Sequence, residues 1–469
     1  MNSYRIFYRI CLFATFLIFI STSLQGQQQS QEHIRDWYFR DPAEDSLAGI
    51  SLYKAYDLLR GRKGVPVIVA VIDNGFDLEH EDLKKNIWTN KKEIAGNGMD
   101  DDHNGYIDDI HGWNFRGSKD GTTSVNDQAE ATRVYILWKN KYDNMDTTGF
   151  SPNEKSNWLM YQSAKKEYLE KSQDPKESEG DRLYYYNPEF NARNGVDHPD
   201  SISERYYGIP IGQLPAEISH GTHVAGIIAA ERNNGKGIDG LADHAVIMPI
   251  VASTGGGDER DKDVANAIFY AVDNGARIIN MSFSKKYSPY KERVDEAVRY
   301  AERKNVLIFH AAGNSGDNDD AASYYPTGLY KDGTKATNFI TVGWSRPKFD
   351  YRLAHPYSNY GKTQVDLFAP GSDIYSLVPV NAYGEKSGSS MSTPMASGVA
   401  ALLLSYFPSL TIAQVKEILI KSVYIPQNPV NRPGSAEKVD FKSLSVSGGI
   451  LNAYQAVRLA TAIVGTGNH

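Results

Sequence analysis

The amino-acid sequence predicts an α/β fold with a mostly parallel central sheet, helices on both faces and a helical insertion. From about residue 53 onward, short continuous apolar runs alternate with amphipathic helical patterns. Strands that are apolar along their whole length are buried on both faces, and helical crossovers join such strands into parallel sheets. One region, residues 118–212, breaks the alternation with many asparagine, aspartate, lysine and tyrosine residues, which predicts an insertion.

The elements follow in order from these patterns. Apolar runs predict strands over residues 65–73, 245–252, 276–283, 306–313 and 339–344. Apolar residues at helical spacing predict helices over residues 261–275, 290–305, 395–407, 411–423 and 449–464. The alternation of the two kinds of element is typical of a sheet covered by helices on both faces.

Inside the insertion, the spacing predicts a helical hairpin over residues 126–142 and 151–172. The second helix opens with a capping box between Ser151 and Glu154, and a proline stands at its first helical position. Its aromatic residues recur at helical spacing, which favours packing on the neighbouring helix. The rest of the insertion, to about Pro210, is predicted to be a polar and mobile stretch.

The N-terminus has the pattern of a secretory signal peptide over residues 1–26. Arg5 and Arg9 precede an apolar run over residues 10–20, and small and polar residues follow it. This run is shorter than the roughly 20 residues that a membrane-spanning helix needs. We expect export to the periplasm, the cell surface or the medium, with no stable membrane insertion after cleavage; an uncleaved anchor is the alternative.

The net charge limits the classes of partner that the protein can bind, and the cysteine content limits what can stabilise its fold. Removal of the signal peptide takes the formal charge from −7 to −9, because two arginines are lost, and no basic arm is present. Both features argue against a nucleic-acid partner. Removal also takes away Cys11, the only cysteine, so stability must come from packing or bound ions rather than from disulfides. The sequence predicts no oligomeric state.

Four segments carry reactive side chains at predicted strand ends or helix starts, where an open α/β sheet has its active site. Asp73 closes the strand in VIVAVIDNG, and Asn314 follows one in HAAGNSG. His220 and His223 lie in SHGTHVAG, and Ser390 lies in GSSMSTP, both at helix starts. Each segment alone leaves alternatives open: a turn-forming aspartate, a metal-binding or packed histidine pair, or an ordinary Gly/Ser loop.

Together the segments resemble the motifs of the subtilisin-like serine peptidases, the subtilases. VIDNG, HGTHVAG and GSSMSTP are similar to the Asp, His and Ser motifs, and AAGNSG and INMSF to the oxyanion and substrate-binding segments. The chain order Asp, His, Ser is that of subtilisin. The resemblance covers roughly residues 60–115 and 215–462. It implies a subtilisin-like three-layer fold over residues 61–464, with 118–212 inserted, after a short segment over 27–60.

The resemblance also implies roles for individual residues. Ser390 would be the nucleophile and His220 the general base. Asp73 would orient the imidazole, and Asn314 would donate to the oxyanion together with the Ser390 backbone N–H. The substrate would contact Ser282, Phe283, Ala312 and Gly313. His223 is expected to be a packed residue that supports the helix.

Three departures from the family pattern limit what the resemblance implies. Ser284 and Lys285 stand where the family often has glycines that line the first specificity pocket, so the cleavage preference stays open. The gap between Asp73 and His220 is far longer than in compact members, because the insertion fills it. Residues 27–60 are too few for the usual folding propeptide, so either the enzyme folds unaided or another segment assists.

A second kind of site is predicted in the segment MDDDHNGYIDDIHGW. Its oxygen-bearing residues have the spacing of an EF-hand calcium loop, with ligands at Asp100, Asp102, Asn104, the Tyr106 carbonyl and Asp108. His111 stands where the bidentate glutamate would be, and Asp109 is the substitute considered for it. A structural calcium ion is therefore expected; the alternative is a solvated acidic turn.

These inferences predict a secreted serine endopeptidase that acts on polypeptides through an acyl-enzyme on Ser390, without a catalytic cofactor. One alternative is a catalytically inactive subtilase-fold binding protein. Another is a zinc hydrolase that uses His220 and His223. The zinc hypothesis lacks a third ligand and the glutamate that the zincin helix carries between its histidines.

Overall fold

The computed structural model describes residues 35–117, 123, 126–190, 193, 202–212, 220–253 and 258–466. The predicted signal peptide over residues 1–26 lies outside these ranges. Within them, no helix combines the length and the apolar character that crossing a membrane requires.

A central sheet of eight strands organises the fold. The strands are β1 (Val67–Asp73), β2 (Trp113–Asn114), β3 (Ile209–Pro210), β4 (Ala245–Val251), β5 (Ile278–Met281), β6 (Leu307–Ala311), β7 (Phe339–Ser345) and β8 (Leu367–Pro370). Their order is β3-β2-β4-β1-β5-β6-β7-β8, and all neighbours pair in parallel except β2 with β3. The prediction of a mostly parallel sheet is confirmed. Four short strands form two separate antiparallel pairs, β9 (Ile374–Val378) with β10 (Ala382–Lys386) and β11 (Val430–Asn431) with β12 (Lys438–Val439).

Helices cover both faces of the sheet. The helices of the described residues are α1 (Leu52–Leu59), α2 (Glu130–Tyr142), α3 (Pro152–Gln173), α4 (Glu179–Tyr184), α5 (His220–Ala229), α6 (Asp261–Asp273), α7 (Lys291–Arg303), α8 (Ser389–Tyr406), α9 (Ile412–Lys421) and α10 (Ala453–Thr466). One apolar core joins α1, α5, α8, α9 and α10 to the sheet, and a second core joins α6 and α7 to the opposite face. This is the predicted three-layer arrangement.

The parallel register brings the functional segments to one edge of the sheet. β1 lies between β4 and β5, and Asp73 at its end is level with Val251 at the end of β4. Because parallel strands point the same way, the loops that follow β1, β4, β5 and β6 all leave the sheet at its carboxyl edge. The loop after β4 carries Asp258 and Glu259, and the loop after β6 carries Asn314.

The segment before β1 belongs to the core. The rings of Trp37, Tyr38 and Phe39 are buried against the same face of the sheet as α8. The Trp37 indole donates to the Ser372 carbonyl at 3.1 Å, and the Tyr38 hydroxyl donates to the Tyr375 carbonyl at 2.7 Å. Removal of this segment would expose the part of the core that these three rings cover, because each ring buries a large apolar area.

The insertion contains the predicted helical hairpin. α2 and α3 pack along each other, and the Tyr135 and Tyr168 rings stack with centroids 4.6 Å apart. The predicted capping box forms, because the Ser151 hydroxyl accepts the Glu154 N–H and the Glu154 carboxylate accepts the Ser151 N–H. The stretch to about Pro210 was predicted to be polar and mobile; in its described parts α4 forms, and β3 pairs with β2 at the edge of the sheet. Residues 191–192, 194–201 and 213–219 of this region lie outside the described residues.

Candidate active site

Asp73 ends β1 as a buried carboxylate with three hydrogen bonds. Its side chain is 3% exposed. One oxygen, Oδ1, accepts the Asn74 backbone N–H at 2.8 Å. The His220 ring nitrogen Nδ1 lies 2.8 Å from Oδ1 and 3.0 Å from Oδ2. A buried carboxylate needs such donors, and this pair sets the tautomer of His220 with the proton on Nδ1.

His220 begins α5 directly above Asp73. A side chain at the next position, Gly221, would come within 2.4 Å of the Gly75 carbonyl oxygen and 3.1 Å of the Asp73 Cβ, so only glycine allows this approach. Burial lowers the pKa of His220, but the charge and hydrogen bond of Asp73 outweigh it and raise the pKa above its ordinary value of 6.5. With Nδ1 held by the carboxylate, the other ring nitrogen is left to exchange a proton.

Ser390 is the second residue of α8 and lies in the same cleft as His220. Its hydroxyl donates to the Ser282 carbonyl at 2.8 Å. No hydrogen bond joins it to His220 within the described residues, so the hydroxyl must rotate about its χ1 angle to reach the ring. Hydrogen bonds between a nucleophile and its base often form only when substrate is bound.

Asn314 follows β6 and faces the start of α8. Its Oδ1 accepts the Ser389 backbone N–H at 2.9 Å, which leaves the Nδ2 hydrogens as donors. Gly388, just before the helix, has φ = 146°, a backbone conformation in which a residue with a side chain would be strained. The first N–H groups of a helix have no partner within it, and the Ser390 N–H and the Asn314 amide remain the predicted donors to a negatively charged oxygen.

The cleft around these residues has a volume of about 260 Å³. Asp73, His220, Asn314 and Ser390 all line it, so the structure brings together the four side chains that the sequence selected. Other lining residues follow the strand ends: Asn74, Ser253, Asp258, Glu259, Ser282, Phe283, Ser284 and Ser389. Sequence reasoning missed Asp258 and Glu259, although their position just after an apolar strand next to β1 was a usable signal.

The four predicted substrate-contact residues divide into two pairs. Ser282 and Phe283 line the cleft. Ala312 and Gly313 are buried, and both of their carbonyls accept hydrogen bonds from Asn359, at 3.0 and 3.1 Å. Neither residue is among the lining residues of the cleft, and a substrate contact at Ala312 and Gly313 stays a prediction.

His223 lies one turn after His220 and is fully buried. Its Nε2 lies 3.0 Å from the Ile374 carbonyl and 3.2 Å from the Gly384 carbonyl, which joins α5 to β9 and β10. Burial lowers the pKa of His223 to about 3, so the ring is neutral and donates from Nε2. His223 is thus a packed, neutral residue that fastens α5 to the β9–β10 pair.

The predicted calcium loop is assembled in part. Asp100 and Asp102 lie with Glu93, a residue that the loop pattern did not include, and their ligand atoms are within 4.8 Å of one another. The two oxygens of Asp108 accept the Gly96 and Gly98 N–H groups at 2.8 and 3.0 Å, and its role as a ligand stays a prediction. Within the described residues, Asp108 is not part of the acidic group of Glu93, Asp100 and Asp102.

The remaining residues of the loop have other partners. The Asn104 side-chain oxygen accepts the Tyr106 N–H at 2.8 Å, and its amide donates to Asp109 at 3.0 Å. Asp109 is buried and also accepts from Asn90 and Tyr270, so it does not fill the missing ligand position. The Tyr106 carbonyl stays a predicted ligand. Three clustered carboxylates fit a hard divalent cation, which takes oxygen ligands.

Comparisons with known proteins agree with this geometry. The model of the Subtilase family matches residues 64–447. A thermophilic serine proteinase of Bacillus sp. (strain AK1) is 40% identical over 219 residues, 45% of this chain and 50% of that protein. A cell wall-associated protease of Bacillus subtilis (strain 168) is 41% identical over 203 residues, 43% of this chain and 21% of that protein. The matches thus span half or less of the lengths of these relatives.

A solved structure extends the comparison to the whole fold. A protease from Pseudoalteromonas arctica PAMC 21717 superimposes with a TM-score of 0.53 at 22% identity, over 91% of this chain and 97% of that one. The family model covers every segment that places Asp73, His220 and Ser390 around the cleft. The chain belongs to the subtilase family of serine proteases.

Proposed function

We propose that the protein is a serine endopeptidase that hydrolyses polypeptides through an acyl-enzyme on Ser390. One observation carries the proposal: the His220 imidazole, held at 2.8 Å by buried Asp73, shares a cleft with the Ser390 hydroxyl and the Asn314 amide. A serine hydroxyl is a poor nucleophile at neutral pH, and a base in a fixed tautomer activates it.

The reaction follows from these positions. The Ser390 hydroxyl turns from the Ser282 carbonyl to the free nitrogen of His220, which takes its proton as Oγ attacks the scissile carbonyl carbon. The resulting oxyanion accepts from the Asn314 amide and the Ser390 N–H. His220 then gives its proton to the leaving amine, and a water molecule repeats the sequence to release the acyl group.

A fluorophosphonate probe tests the proposal, because it forms a covalent bond only with an activated serine. We expect the wild-type protein to be labelled and Ser390→Ala to lose both labelling and peptide hydrolysis, by about 10⁶-fold in kcat. Ser405→Ala is the matched control on the same helix, since its hydroxyl donates only to the Ala401 carbonyl. Unlabelled, folded wild-type protein would favour the inactive binding protein, and chelator-sensitive hydrolysis without labelling would favour a zinc enzyme.

We also propose export after cleavage of a signal peptide over residues 1–26. The charged and apolar pattern of the N-terminus supports it, and one relative is named a cell wall-associated protease. Mass spectrometry of the protein from culture fractions tests this, with a mature N-terminus expected between Ser23 and Gln27.

We further propose that calcium binds at Glu93, Asp100 and Asp102. The clustering of three carboxylates supports a hard cation there, and bound calcium would neutralise their mutual repulsion. Its role would be structural, because a chain without disulfides gains stability from any ion that binds only its folded state.

A further inference from the structure

Glu259 is a buried acid in the wall of the proposed active-site cleft. It follows β4, lines the cleft and is 7% exposed. It is close enough to the catalytic pair for its charge to raise the pKa of His220, and for Asp73 to raise its own. Glu259 therefore shares the cleft with His220 and Asp73 and lies within electrostatic range of both.

The neighbouring cations donate their hydrogen bonds to groups other than the Glu259 carboxylate, although the charge of Lys285 partly offsets the rise in the pKa of Glu259. The Lys285 ammonium donates to Glu130, to Asp261 and to the Glu259 backbone carbonyl, at 2.5, 2.7 and 2.8 Å. An ammonium has three donors, so Lys285 has none left. The Arg133 guanidinium likewise reaches the backbone carbonyls of Asp258 and Glu259, at 3.0 and 3.5 Å.

Within the described residues, the Glu259 carboxylate has no hydrogen bond or ion pair with another residue. Burial is the main cause that raises the pKa of Glu259, to about 7, and the nearby Asp258 adds to it. An unpaired buried carboxylate is costly, so a cation that enters the cleft gains more from it than from an exposed acid.

The charges that line the cleft also favour the binding of a cation. Its described lining holds three acids, Asp73, Asp258 and Glu259, and no lysine or arginine. Asp73 is bonded to His220, and one oxygen of Asp258 accepts the Glu130 N–H at 2.9 Å. Among these three acids, Glu259 is therefore the one whose carboxylate is bonded to no other described residue. Half-buried Asp258 adds negative potential beside it.

We propose that Glu259, assisted by Asp258, forms a subsite that binds a lysine or arginine side chain of the polypeptide substrate. The inference rests on the proposed peptidase activity and names the substrate class of that site. An arginine would form two charge-assisted hydrogen bonds to the carboxylate, and lysine one, so arginine is preferred.

Paired peptides test the subsite. Each pair carries arginine or citrulline, its neutral isostere, at one of the four residues before the scissile bond. We expect wild-type kcat/KM to favour arginine at one of these positions by at least about 10-fold, and Glu259→Gln to reduce that ratio to near one. Glu385→Gln changes an exposed residue of β10, makes the same change in net charge and is expected to keep the wild-type ratio.

Fluorophosphonate labelling separates the ways in which the inference can fail. Labelled wild-type enzyme that cleaves both peptides of every pair equally would overturn the subsite while leaving the peptidase proposal intact. An unchanged ratio in labelled Glu259→Gln would overturn it as well. Absence of labelling in the wild type would overturn both proposals. If Glu259→Gln does not fold, Asp258→Asn replaces it in the test. A wild-type preference for arginine that falls in Asp258→Asn would then support the subsite, and an unchanged preference would overturn it.

Discussion

Ser282 and Ser390 exchange two hydrogen bonds across the cleft. The Ser390 hydroxyl donates to the Ser282 carbonyl at 2.8 Å, and the Ser282 hydroxyl donates to the Ser390 carbonyl at 2.9 Å. The pair joins the end of β5 to the first turn of α8, so the strand that would bind substrate and the helix that carries the nucleophile hold each other in place. It also holds the Ser390 proton on the Ser282 carbonyl until the hydroxyl turns to His220.

Replacement of Asp73 by asparagine should lower both the rate and the pKa of His220. The carboxylate raises that pKa above 6.5, and a general base works only when unprotonated, so wild-type activity should fall as the pH drops through a value above 6.5. In Asp73→Asn, kcat should fall about 10⁴-fold, and the acid limb of the residual kcat/KM profile should move to lower pH. Stopped-assay profiles from pH 5 to 9 check this. An acid limb at the same pH in both proteins would contradict the role of Asp73.

Replacement of Asn314 by alanine should slow the chemical step with little effect on substrate binding. The amide donates to an oxygen that becomes negative only in the transition state, so kcat should fall about 100- to 1000-fold while KM stays within a few-fold. Asn318→Ala, further along the same loop, is the control. A large rise in KM with unchanged kcat would show that Asn314 binds the ground state instead.

Two acidic residues of the insertion form ion pairs with the loop after β5, one buried and one partly exposed to solvent. Buried Glu130 pairs with Lys285 at 2.5 Å, whereas Glu167 is 35% exposed and pairs with Lys286 at 3.4 Å. Glu130→Ala leaves a buried ammonium with one carboxylate fewer and should lower the free energy of unfolding by about 3 kcal/mol. Glu167→Ala should cost less than about 1 kcal/mol, because water screens its pair.

Urea titrations of both variants measure this difference. Equal and small losses would mean that the insertion is held mainly by its apolar contacts to Tyr287, which packs among Ala131, Val134 and Ala164. Unequal losses in the expected order would show that the insertion is fastened to the wall of the cleft by a buried ion pair.

Removal of calcium from the proposed site at Glu93, Asp100 and Asp102 should lower the stability of the protein. With calcium at about 100 times its dissociation constant, binding adds about 2.7 kcal/mol, which a chelator should remove as a fall of several degrees in Tm. Asp102→Asn should lose most of this response. Its neighbour Asp101→Asn should keep it, because that carboxylate accepts from Ile94 and Asn97 instead. A wild-type Tm that changes neither when calcium is added nor when a chelator is added would exclude the calcium site.

Much of the fold was predictable because its signals are local. Each predicted strand forms within two or three residues of its expected ends, since an unbroken apolar run can be buried only inside the sheet. The helix over 449–464 begins later than predicted, at Ala453, because the preceding residues pair with Phe368 and Tyr424. Asp73, His220, Asn314 and Ser390 were found from short motifs whose residue types the chemistry requires.

The sequence by itself therefore determined the α/β class, the hairpin of the insertion and the four side chains of the candidate site. Tertiary structure alone decided that Glu259 lines the cleft, that Lys285 donates all three of its hydrogens to protein acceptors, and that Glu93 joins Asp100 and Asp102. The physical reason is common to these cases. The direction of a polar side chain depends on which donors and acceptors packing brings beside it, and most of those partners lie far away in the chain.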